Sequence, residues 1–156
     1  MDQVLLQRLA TLEGESAVRR LMARYMDLCD VPRAPTRVSD LAALFCLDAI
    51  WEGVGSQTAQ TFGQHHGRDA VAAFVGGYLP PSDHFQLNLH YLTSESIQVD
   101  GQAAQGHWIM QQISTYADGR SELFGTRLNI DFRCVEGTWL IAHFRTQRLF
   151  NQELNT

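Results

Sequence analysis

Two groups of polar residues in this chain have types and spacings suited to moving protons. Tyr25 and Asp30 lie five residues apart where an apolar helical stripe ends. Farther on, His84, Gln86, Asn88 and His90 alternate with Phe85, Leu87, Leu89 and Tyr91. A strand therefore sets the four polar residues on one face. His107 follows within Gly106-His107-Trp108, and Arg127, Asn129 and Asp131 share one face of the next strand. A histidine with a pKa of about 6.5 exchanges a proton at neutral pH, and an adjacent carboxylate fixes its tautomer. So many polar groups on central strands exceed what an ordinary core holds unpaired. Either that face is solvated or it lines a polar pocket. On spacing alone, Tyr25 also reads as a core tyrosine and Asp30 as a helix end in solvent. His90 and His143 read as structural or surface groups. Cys29 reads as packing, since no base is arranged to activate it. Arg145 and Arg148 read as surface charges on the last strand, although Arg145 equally suits an anionic or carbonyl group of a substrate.

Other chemistries are removed by what the 156 residues lack. All 12 basic residues are arginine. Without lysine there is no side-chain Schiff base, no lysine-held pyridoxal cofactor and no P-loop. No GxSxG, GxGxxG, HExxH or EF-hand pattern occurs. His65, His66 and Asp69 resemble a metal site, but their place before a helix start fits an exposed loop, so neither metal nor cofactor is expected. The net charge of −5 opposes nucleic acid as a partner. Three scattered cysteines indicate a reducing compartment. The first 20 residues carry Asp2, Glu13 and Glu15 without a long apolar run. A soluble cytoplasmic protein, neither exported nor membrane-spanning, is the expectation.

The elements that must position these residues divide the chain in two. Val18, Leu21, Met22, Tyr25, Met26 and Cys29 form a helical stripe, and Leu5, Leu6, Leu9 and Leu12 an earlier one out of phase with it. A bend at Gly14 is expected between them. Pro32 and Pro35 make residues 30–36 a loop. Ser39 is the expected N-cap of a short helix carrying Leu41, Leu44 and Phe45. A strand over 49–51 and a helix from Arg68 follow. In the second half Asp100-Gly101, Asp118-Gly119 and Glu136-Gly137 recur at intervals of 18 residues. They predict a four-stranded antiparallel meander with strands near 84–98, 102–116, 121–134 and 139–149. Strands of about 14 residues span about 46 Å. A compact chain of this length has a radius of gyration of about 15 Å, so the sheet must bend. The predicted class is α+β, one domain over residues 1–156, with a curved sheet wrapped around N-terminal helices into a cone holding a pocket.

In this order and spacing, several short stretches resemble the SnoaL-like branch of the NTF2-like (cystatin-like) superfamily. They are residues 24–30, from Arg24-Tyr25 to Asp30; Leu41 to Phe45 with Asp48 to Trp51; and Gly67 to Val71. His84 to Asn88, Val99-Asp100-Gly101 with Ala104, and Gly137-Thr138-Trp139 complete the set. The resemblance covers nearly the whole chain and is more specific for the fold than for the reaction. Two dehydratase types look nearest. The bile-acid 7α-dehydratase type is matched by Tyr25, Asp30, His84 and a late arginine, Arg145. The scytalone dehydratase type is matched by Asp30, His84, His107 and Asn129. Cys29 stands where the second type has tyrosine, and His107 where the first has aspartate.

The resemblance implies a dehydratase acting without a cofactor on a small cyclic or aromatic hydroxy-carbonyl compound. In that scheme an Asp30–His107 dyad abstracts the proton, and Tyr25, with Asn129, steadies the enolate. His84 protonates the departing hydroxyl, and Trp51, Phe85 and Trp108 form apolar walls. It requires His84 and His107 to share one cavity with Tyr25 and Asp30. Isomerisation, cyclisation or retro-aldol cleavage uses the same equipment. A non-catalytic binding or assembly module is the competing class, and a homodimer or homotrimer is expected.

Overall fold

The computed structural model describes residues 2–154. Its first element is a helix, α1 (Gln3–Cys29). The stripe from Val18 to Cys29 is its buried face. Asp2 caps the start by accepting from Val4 N–H at 3.0 Å. The helix runs unbroken through Gly14, where a bend was expected. A Cβ there would stand 3.1 Å from a Val99 methyl and 3.3 Å from the Trp139 ring, so this glycine serves close packing of helix on sheet.

Two short helices, α2 (Val38–Ala42) and α3 (Ser56–Phe62), flank strand β1 (Phe45–Gly53). Arg37, and not Ser39, holds the N-cap position of α2. Strand β2 (Gln64–His66) then leads into helix α4 (Arg68–Gly76). The pair His65-His66 thus lies on an edge strand instead of the expected loop, and α3 is an addition to the expected set. Four long strands follow: β3 (Phe85–Asp100), β4 (Ala103–Tyr116), β5 (Ser121–Val135) and β6 (Thr138–Leu154). Their hairpins turn at Gly101, Gly119 and Gly137, all at positive φ, where glycine avoids the strain a side chain brings.

The six strands form one sheet in the order β2-β1-β6-β5-β4-β3. All neighbours are antiparallel except β1 and β6, which run parallel. Register shifts interrupt β3 between Phe85 and Leu87 and again between Thr93 and Ser96. Others interrupt the β5–β6 ladder beside Gly125 and Asp131. Such bulges bend strands and increase their twist, giving the curved, unclosed sheet of an α+β cone. Its concave side receives α1, and the core joins Val18, Leu21 and Met22 to Trp108, Ile130, Phe132 and Ile141. Each large apolar side chain buried there contributes about 1.5–3 kcal/mol. No helix among the described residues is long and apolar enough to cross a membrane.

Candidate active site

The core does not fill the wide end of the cone. A cavity of about 720 Å³ remains, walled by Trp51, Phe62, Phe74, Phe85, Met110 and Phe144 among others. Trp51 and Phe144 stack with ring centroids 5.4 Å apart and planes 6° from parallel. Flat apolar walls of this kind suit a ring-shaped ligand.

The polar centre of the cavity is built where α1 ends. Pro32 prevents the helix from continuing, and Asp30 leaves it in extended conformation. The next residue, Val31, forms a two-way backbone bridge with Asn88 of β3, both bonds 2.8 Å. That bridge lays the Asp30 carboxylate against His90. Asp30 Oδ1 accepts from His90 N–H at 3.1 Å and lies 2.8 Å from His90 Nδ1. With Nδ1–H donating to the carboxylate, the other ring nitrogen keeps its lone pair and His90 faces the cavity. Gln112 stands directly across the β3–β4 ladder from His90. Its amide donates to Asn88 Oδ1 at 2.8 Å, and Ser114 Oγ donates to the same oxygen at 2.8 Å.

Tyr25 lies deeper in the same cavity and accepts a hydrogen bond from Trp51 Nε1–H at 3.1 Å. Burial, with the neighbouring Cys29, raises its pKa well above the usual phenol value, so the hydroxyl keeps its proton. Burial likewise pushes the Cys29 thiol up to about 12, which leaves it un-ionised and unreactive.

The sequence-predicted residues separate into two groups. Tyr25, His84, Trp51 and Phe85 line the cavity, with Asp30 behind His90. His84 is exposed at the rim, among the rings of Tyr78, Phe85 and Tyr116. His107 does not join them. Gly106, Trp108 and Met110 face inward along β4, so the residue between must face out. There His107 bonds Asn129 on the convex surface. The expected Asp30–His107 dyad is therefore absent, and Asn129 faces away from the cavity with its partner.

Arg145 is also on the convex face, 2.9 Å from Asp131 Oδ2 and 2.8 Å from His143 Nδ1. Arg148, three residues on, is the β6 arginine that lines the cavity, its guanidinium 4.5 Å from the Phe124 ring centroid. Trp108 is buried in the core with its indole N–H toward Glu95 and does not reach the cavity. His90, read from the sequence as structural or surface, is the imidazole that Asp30 holds. Its one sequence signal was its place in the alternation with Asn88. Among the described residues no three histidine, cysteine or carboxylate side chains converge as a metal-binding group.

A family model described as SnoaL-like domain matches residues 10–145. None of the curated proteins matches this chain in sequence. Several solved structures share the fold. One is a hexachlorocyclohexane dehydrochlorinase, LinA type 2, with a TM-score of 0.77 at 18% identity, covering 96% of this chain and 93% of that one. A scytalone dehydratase-like protein from Novosphingobium aromaticivorans has a TM-score of 0.76 at 19% identity, covering 93% and 90%. An NTF2-like protein with a cystatin-like fold from the same organism has a TM-score of 0.70 at 23% identity, covering 95% and 90%.

Proposed function

The chain belongs to the SnoaL-like domain family, and from that premise we propose that it is a cofactor-independent lyase with His90 as its base. The favoured reaction is loss of water from a small cyclic or aromatic hydroxy-carbonyl compound. The observation that carries this reading is the Asp30–His90 pair opening onto an aromatic-walled cavity. The free nitrogen of His90 takes a proton from the carbon beside the carbonyl. Asp30 steadies the imidazolium that forms, as a triad aspartate does. Tyr25, held protonated by burial, donates to the enolate oxygen. The imidazolium then returns its proton to the departing hydroxyl, so that water leaves and the base is restored. Trp51 and Phe144 hold the ring, and Arg148 meets polar substituents at the mouth.

His84 serves this scheme at the rim only. His90 lies five steps along β3 from Phe85, the neighbour of His84, about 16 Å of extended chain, so the two histidines serve opposite ends of the cavity. That separation also favours a second reading. A leaving halide needs no acid, and a carboxylate-held histidine in a cavity walled by the rings of Trp51, Phe74 and Phe144 suits such an elimination. The competing binding module is less well supported, since a filled or closed interior was its mark and this interior is open.

The test is a mass-spectrometric screen of cyclic β-hydroxy-ketones and of their halogenated counterparts. Loss of water from the first group, abolished by His90→Asn, supports the dehydratase. Loss of hydrogen halide alone supports the second reading. Turnover unaffected by His90→Asn contradicts both.

A further inference from the structure

The first three turns of α1 stand clear of the cone. Leu5, Leu6, Leu9 and Leu12 are all exposed, and the helix meets the sheet only from Gly14 onward. At 3.6 residues per turn, Leu5, Leu9 and Leu12 fall within about 60° of one another. Their stripe lies about 155° around the helix from the buried one of Val18, Leu21, Met22 and Tyr25. It therefore faces away from the chain's own core. Farther along the same face, Ser16, Arg20 and Asp27 make the surface polar again.

We propose that this stripe is the contact through which a second copy of the chain docks, helix beside helix and in parallel. The spacing of Leu5, Leu9 and Leu12 is that of heptad positions d, a and d, the seam of a two-stranded coiled coil. Charge gives the orientation. In this frame Arg8 occupies a g position and Glu13 the following e position. In a parallel pair each Arg8 meets Glu13 of the other copy, twice across the two-fold axis. An antiparallel pair sets like flanks together and gains no such match. Neither residue has an ion-pair partner among the described residues. The seam points away from the cone, which leaves each body on its own side of the helix pair.

Sedimentation equilibrium over a concentration series tests this docking independently of any catalytic reading. The wild-type protein is expected to have the mass of two chains. The double substitution Leu5→Glu with Leu9→Glu is expected to give one chain with an unchanged near-ultraviolet circular dichroism spectrum, since these side chains support nothing in their own cone. Arg8→Glu and Glu13→Arg alone should each weaken association several-fold, and the two together should restore it. Oxidised Leu12→Cys should yield a cross-linked dimer, because position 12, at the end of the stripe, meets itself in the parallel register and would face Leu5 in an antiparallel one. A monomeric wild type, a trimer, or a dimer indifferent to the leucine and charge substitutions overturns the proposal.

Discussion

His90 has the geometry of a held base, and Tyr25 and Cys29 are the groups beside it that burial keeps neutral. The thiol is raised from its ordinary value of 9.0 to about 12, and the hydroxyl moves in the same direction. Each therefore contributes stability fully below its ordinary pKa, and that contribution is lost as the pH climbs toward the raised value. Denaturant melts at rising pH should show stability falling from about pH 9, with a smaller fall in Cys29→Ala. Iodoacetamide at about pH 8.5 should label the partly exposed Cys134 and leave the buried Cys29 unlabelled in the folded protein. Rapid labelling of Cys29 would show a more open site. The sequence carried Tyr25 and Asp30 to the right neighbourhood because both ride on one helix end. It did not carry the choice between His90 and His107, because that choice depends on which face each strand presents.

Strand faces are set by bulges, and bulges leave little trace in a pattern of alternation. One extra residue at Gln86 turns Phe85 inward and Gln86 outward, against the regular alternation from His84 to His90. The hairpins were legible because Gly101, Gly119 and Gly137 sit in turns that need positive φ. The parallel pairing of β1 with β6 was not, since strands so far apart share no turn. Gly106 shows the same dependence on packing. A Cβ at this position would lie 2.3 Å from the Trp108 ring, whose indole covers the glycine. Gly106→Val should therefore destabilise the protein by about 1–3 kcal/mol through overpacking, seen as a lowered melting temperature. A melting temperature equal to wild type would mean that Trp108 does not lie over Gly106.

The whole molecule keeps its two sheet faces chemically separate. The convex face holds His107 with Asn129, and Arg145 with Asp131 and His143, each satisfied by its neighbour. The concave face holds the cavity and, among the described residues, the one imidazole that a carboxylate orients toward it. His107→Ala and Arg145→Ala should accordingly leave turnover within about two-fold of wild type, whereas a loss of 10²-fold or more would move the chemistry outward. The central claim is that Asp30 and His90 act as one base. A double-mutant cycle of Asp30→Asn and His90→Asn, measured on turnover of a compound from the screen, tests it most directly. Loss of a general base is worth about 10²–10⁴ in rate, or roughly 3–5 kcal/mol of barrier. Each single substitution should cost a factor in that range, and the double little more, because residues acting as a unit are non-additive. Losses that multiply across the cycle, or a fully active His90→Asn, would contradict the account.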